Sequence, residues 1–177
     1  MLDDYFLQGV SLFAMDFKEI EGVKYKEIGR FEPTGISCTV DEEGKYRFID
    51  YSGIIINNQV YDKVYLGSNS LLNYLFSNDF LAVSVDGKWA YINKSGDLIT
   101  EFIYEQVREF DSRGYACVKQ NAKWGIINKS GQSVISPIYE EIKKIDQTGN
   151  VILKQNGKWG VININGELII DFLFDSI

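Results

Sequence analysis

The carboxylates are the residues of this chain with the most obvious capacity for chemistry. A glycosidase needs only two, one to protonate the leaving oxygen and one to act as base or nucleophile. Candidates stand at Asp41-Glu42-Glu43, at Glu140-Glu141, and at Asp62 and Glu105. Asp62, Glu105 and Glu140, however, recur at one place in a repeat, as a structural feature does and a unique catalytic pair does not. Asp41-Glu42-Glu43 reads as the solvated tip of a widened hairpin. There is no histidine, which removes Ser-His-Asp and Cys-His nucleophiles and the common histidine-containing zinc sites. Cys38 and Cys117 lie among apolar or hydroxyl residues in apparent strands, the setting of buried free thiols, and two cysteines do not make a disulfide framework. No glycine-rich phosphate loop, cysteine cluster or EF-hand loop is present. The expectation is a non-enzymatic protein with no metal and no cofactor.

The composition is that of a globular protein: 177 residues, 45% hydrophobic and 24% charged. Eighteen Lys and Arg against 25 Asp and Glu give a net charge of −7. That balance argues against nucleic acid, whose binders cluster positive charge to neutralise phosphates. The first residues, Met1-Leu2-Asp3-Asp4, are acidic where a signal peptide is basic. Apolar runs such as Ile54-Ile55-Ile56 are too short to cross a bilayer. A soluble cytoplasmic protein without membrane insertion is expected.

The elements that position these residues come from an internal repeat. Trp89, Trp124 and Trp159 recur every 35 residues, each after a lysine. Downstream of each comes an Asn-centred turn: Asn93-Lys94-Ser95-Gly96, Asn128-Lys129-Ser130-Gly131 and Asn163-Ile164-Asn165-Gly166. An aromatic-acid pair follows in every unit, as Tyr104-Glu105, Tyr139-Glu140 and Phe174-Asp175. A weaker copy runs from Tyr46 through Asp50-Tyr51-Ser52-Gly53 to Tyr61-Asp62. Asp86-Gly87 and Asn156-Gly157 are two-residue hairpin signals, because a type I′ turn needs positive φ at both positions; Asn121-Ala122 fills the same place with a poorer residue. Each unit therefore reads as a three-stranded antiparallel meander followed by a connector that holds the aromatic-acid pair.

Two-residue loops fix the register. Val118 falls opposite Gly125 and Lys119 opposite Trp124; in the next unit Leu153 falls opposite Gly160 and Lys154 opposite Trp159. Gly125 and Gly160, lacking a Cβ, are expected to admit another backbone or ring. Lys119 and Lys154 are expected beside the indoles.

Lys-Trp-Gly with a following Ile-Asn and Gly, at this period, resembles the bacterial WG (KWG) repeat. The resemblance covers about residues 36–177, with Tyr25 to Gly35 matching the connector of a preceding unit. Departures are Tyr46-Arg47 in place of Trp-Gly, Ala90 in place of Gly, and Pro137 as the one surviving proline of the Ile-Pro step. The resemblance implies a non-catalytic repeat module and supplies no active-site residues.

The expected architecture is all-β: tandem three-stranded meanders stacked as an open, solenoid-like array, with a small closed β-propeller as the alternative. Residues 1–35 read as an N-terminal cap and partial unit, and 36–177 as four repeats with an insertion near 66–79. Tyr46, Trp89, Trp124, Trp159, Gly125 and Gly160 are the structural positions. The insertion carries Leu71, Leu72, Tyr74 and Leu75, an apolar stripe that either plugs the core or meets a partner. With Asp41, Glu42 and Glu43 these are the candidate partner contacts. The expected function is protein–protein interaction, a toxin-neutralising immunity protein being its most concrete form. Glycan or peptidoglycan binding by exposed aromatic rows is the alternative.

Overall fold

Three tips that combine Asn or Asp with Gly or Ala turn the chain back on itself in two residues. Asp86 and Gly87, Asn121 and Ala122, and Asn156 and Gly157 all hold positive φ, the condition for a turn whose twist matches that of its strands. The strands they join define the computed structural model, which describes residues 19–20, 22–29, 31–32, 35–65, 76 and 79–176. Leu71, Leu72, Tyr74 and Leu75, with most of the 66–79 insertion, lie outside the described residues, as does nearly all of the 1–22 segment.

Every regular element among the described residues is a strand. The chain divides into two compact units, Met1–Leu75 and Phe76–Ile177. The first unit therefore takes in the first repeat together with the N-terminal residues, where the sequence reading drew a border at 35.

In the first unit, β1 (Glu19–Ile20), β2 (Val23–Ile28), β3 (Ser37–Asp41) and β4 (Tyr46–Ile49) form one antiparallel sheet in that order. Beyond β4 the chain returns through single bridges, Ile49 to Ile55 and Tyr46 to Tyr61, and then forms β5 (Lys63–Val64). Cys38, Phe48, Ile49 and Tyr61 are its most buried apolar side chains. The buried Ser37 and Thr39 hydroxyls donate to the carbonyls of Gly29 and Arg47, which removes the cost of an unpaired polar group in the interior.

The second unit holds three modules. In the second module (80–104), β6 (Phe80–Val85) pairs with β7 (Lys88–Asn93), and the chain then bridges from Ile92 to Leu98 and from Trp89 to Tyr104. The third module (106–139) is a complete sheet of β8 (Gln106–Val107), β9 (Tyr115–Gln120), β10 (Lys123–Asn128) and β11 (Ser133–Tyr139). The fourth (141–174) repeats it with β12 (Glu141–Ile145), β13 (Asn150–Gln155), β14 (Lys158–Asn163) and β15 (Leu168–Phe174). The register matches expectation: Val118 opposite Gly125, Lys119 opposite Trp124, Leu153 opposite Gly160, Lys154 opposite Trp159.

The connector differs from the sequence reading. It is itself strand, so the third and fourth sheets have four strands rather than three. The segment up to Tyr139 lies along β10 as an outer strand, and from Glu141 onward the chain is the first strand of the next sheet. The aromatic closes one module, the acid stands at the crossing, and the residue after it opens the next. Four-stranded meanders of this kind are the unit of a propeller blade.

The modules of the second unit stack face to face. Cys117, Trp124, Ile126 and Ile135 of the third module pack on Ile142, Ile145, Val151, Leu153 and Ile162 of the fourth as one apolar cluster. Each buried aliphatic side chain there contributes about 1.5–3 kcal/mol relative to exposure. Alternation along β13 explains how thin sheets serve two neighbours: Val151 and Leu153 face backward into the cluster, while Ile152 faces forward.

Candidate functional site

Tryptophan is the repeat's most conspicuous side chain, and its surroundings decide whether it is a platform or a wedge. Trp124 and Trp159 are 8% and 7% exposed. Lys119 lies over the Trp124 ring at 5.9 Å and Arg108 at 4.9 Å; Lys154 and Lys143 lie over Trp159 at 5.6 and 5.1 Å. Each ring thus carries two cations, one from the neighbouring strand and one from the first strand or just after it. Cations over an indole face contribute about 0.5–1 kcal/mol each where water still reaches them. The two lysines opposite the rings were expected. Arg108 and Lys143 were missed, although they too stand 35 residues apart. Arg108 does more, since its Nη2 donates to the Ile142 carbonyl of the fourth module at 2.9 Å. Trp89 is half-buried, and Ser84 takes the place of the lysine opposite it.

The glycines after Trp124 and Trp159 each sit under a bulge. Between Trp124 and Ile126 the partner strand runs from Tyr139 to Ile135, so β11 carries extra residues that fold over Gly125. A Cβ at 125 would stand 2.5 Å from the Ile135 carbonyl oxygen and 2.8 Å from the Pro137 nitrogen; at 160 it would meet the Phe172 ring at 2.8 Å. Pro137 is tolerated inside a strand because it falls in this bulge. Both close approaches are of the kind expected for these glycines.

The recurrent carboxylates are structural. Glu105 accepts a hydrogen bond from the Ala122 amide and Glu140 one from the Gly157 amide. Asp62 pairs with Lys45 and Asp175 with Lys158, both at 2.5 Å, and Lys154 pairs with Glu141 at 3.0 Å.

Asp41 corrects the reading of a solvated tip. It is 5% exposed, and its Oδ1 accepts from the Glu43 and Lys45 amides at 3.0 and 2.8 Å while Oδ2 pairs with Arg47. Burial raises the Asp41 carboxyl, but the Arg47 guanidinium and the two amides outweigh it and hold the group below its ordinary value. Only Glu42 and Glu43 of that run remain exposed. Asp111 and Asp146 hold their own loops in the same way.

Both cysteines are free and buried. Burial pushes Cys117 up to about 11 despite nearby Arg108. Burial and then the Glu27 charge push Cys38 further still. Neither is poised as a nucleophile. Among the described residues no group of three or more acids or cysteines could hold a metal, and no helix is long and apolar enough to cross a membrane.

The model of the WG containing repeat matches residues 89–124, 124–159 and 159–177. No curated protein matches. Among solved structures, the crystal structure of a eukaryotic initiation factor is similar at 11% identity and a TM-score of 0.50, covering 89% of this chain and 47% of that one. Hsv2 from Kluyveromyces lactis is similar at 12% identity and a TM-score of 0.44, covering 80% and 48%. BamB from Moraxella catarrhalis is similar at 12% identity and a TM-score of 0.41, covering 88% and 52%. The chain spans about half the length of these proteins, and such likeness concerns the fold alone. With three consecutive matches across half its length, beginning at Trp89, Trp124 and Trp159, the chain belongs to the WG containing repeat family.

Proposed function

We infer that this chain is a non-enzymatic β-repeat protein that binds a protein partner. The observation that carries this reading is the fate of the repeat's reactive-looking groups: the Trp124 and Trp159 indoles lie under cations and the recurrent acids under turn amides and lysines. In its sharper form the chain is a toxin-neutralising immunity protein, in which the exposed Glu42 and Glu43 help an acidic surface meet a basic one. Such complementarity raises the association rate and makes it sensitive to salt. The burial of Trp124 and Trp159 favours this over a glycan platform, which would offer its rings to solvent.

Cross-linking in the native cell followed by mass spectrometry is expected to recover one protein partner. Its purified association is expected to slow with added salt and with Glu42→Lys and Glu43→Lys. Asp41 is excluded from that series because its loss would disturb the turn. A partner whose association is indifferent to salt and to both reversals would contradict the electrostatic form, and absence of any partner would contradict the reading itself.

A further inference from the structure

Two Asn-Gly pairs stand in the fourth module, Asn156-Gly157 at the hairpin tip and Asn165-Gly166 in the loop after β14. Asparagine before glycine is thermolabile, because glycine has no Cβ to keep its nitrogen away from the asparagine side chain. Both residues of the tip are exposed, and a Cβ at 157 would meet nothing within 4 Å. Asp86 and Gly87, and Asn121 and Ala122, are exposed as well, although a further module follows each; the exposure belongs to the tip itself. What sets Gly157 apart from Gly166 is its acceptor. The Gly166 amide donates to the neutral Asn163 carbonyl at 2.9 Å within its own loop. The Gly157 amide donates to the Glu140 carboxylate at 3.0 Å. Glu140 is fixed there by its own amide, which donates to the Lys154 carbonyl at 2.9 Å, and its other oxygen faces Lys123 at 3.8 Å.

We propose that Asn156-Gly157 is a covalent modification site, converting through a succinimide to aspartate or isoaspartate, and that the Glu140 carboxylate keeps it closed. In the first step the Gly157 nitrogen bonds to the side-chain carbonyl carbon of Asn156, and the bond from that carbon to Nδ2 breaks. Ammonia leaves, carrying the Gly157 proton. Water then opens the ring at one carbonyl or the other, giving aspartate or isoaspartate at 156; neither oxidant nor reductant is needed. The attack requires a Gly157 nitrogen stripped of its proton. An anion that already accepts that proton opposes this twice: the charge-assisted hydrogen bond must be given up, and negative charge must build on nitrogen beside a carboxylate. Conversion undoes the tip. Isoaspartate adds a carbon to the main chain of a turn built for two residues, and either product sets a second carboxylate near Glu140, where like charges repel.

Mass-spectrometric peptide mapping of the full chain, incubated in warm, mildly alkaline buffer, tests this, with electron-transfer fragmentation separating isoaspartate from aspartate. Asn165 is the internal reference, since the Gly166 amide is bonded within its own loop. Asn156 is expected to convert more slowly in the native chain than in the chain unfolded by urea. Glu140→Gln, which keeps an acceptor but not the charge, is expected to speed conversion at Asn156 by about three- to tenfold and to leave Asn165 at its wild-type rate. Equal acceleration at both sites would mean a general loosening of the fold and would overturn the proposal. So would a rate at Asn156 that Glu140→Gln leaves unchanged or lowers, or a native rate equal to that of the unfolded chain.

Discussion

The Glu140 carboxylate, at the crossing between the third and fourth modules, accepts a hydrogen bond from the Gly157 amide of the fourth at 3.0 Å. Glu105 and Ala122 repeat the contact one module earlier. The reason is topological. The Glu140 amide itself donates to the Lys154 carbonyl, so the acid stands beside the strand that leads into the turn at 156–157. An ionised acceptor on a backbone amide forms a stronger hydrogen bond than a neutral one. Glu140→Ala is therefore expected to destabilise the chain by about 0.5–1.5 kcal/mol, read from urea unfolding. Gln at 140 should recover part of the loss because it keeps an acceptor.

Gly125 and Gly160 have no room for a Cβ. At 125 the obstacles are backbone atoms of Ile135 and Pro137, which move only if β11 moves. Gly125→Ala is expected to cost about 1–3 kcal/mol by overpacking, measured as a lower urea midpoint with an unchanged slope. A wild-type midpoint would mean that the bulge over Gly125 is absent in solution.

Ala122 holds φ at +61°, a conformation in which the Cβ crowds the neighbouring carbonyl. Glycine suits the position, as Gly87 and Gly157 show in the sister turns. Ala122→Gly is expected to stabilise the chain by about 0.5–1 kcal/mol, the relief of strain outweighing the added freedom of the unfolded chain. A lower melting temperature would contradict the turn assignment.

Acid should weaken the fold in a defined window. At Asp41 and Asp111 burial raises the carboxyl, but hydrogen bonds and arginine partners more than offset it; at Asp146 the Thr148 hydroxyl and Asn150 amide lead in lowering it. All three sit below the ordinary 3.8 when folded. The unfolded chain then binds more protons, so the stabilisation is complete above 3.8 and is lost as pH falls through the folded values. The urea midpoint is expected to stay level from neutral pH to about 5 and to drop below about 4. Asp41→Asn should flatten that drop.

The thiols give an independent check on the cores. Buried and pushed upward, Cys38 and Cys117 should resist an aromatic disulfide reagent at mildly alkaline pH until the chain unfolds, when two thiols per chain react. Rapid reaction of either in the native protein would contradict its burial.

Features that lie within one module were legible in the sequence. The hairpin tips fixed the register, the register placed Lys119 against Trp124, and Gly125 announced a close approach. What escaped depends on neighbours in space. Tyr139 and Glu140 adjoin in sequence, yet one ends a sheet and the other marks the crossing to the next, so the pair read as a connector. Arg108 lies far from Trp124 along the chain, and only its recurrence as Lys143 could have signalled a role. Asp41 looked solvated as the first of three acids, but the four-residue tip from Asp41 to Gly44 needs an acceptor for its own amides, and the first acid supplies it.

The account stands on the Trp124 and Trp159 rings being shielded by the protein rather than offered to solvent. Acrylamide quenching of single-tryptophan variants, with the other two indoles replaced by Phe, measures this most directly. Trp124 and Trp159 are expected to quench far more slowly than free indole, with no change on adding a soluble oligosaccharide. Quenching near the free-indole rate, with emission that shifts when the sugar is added, would contradict it.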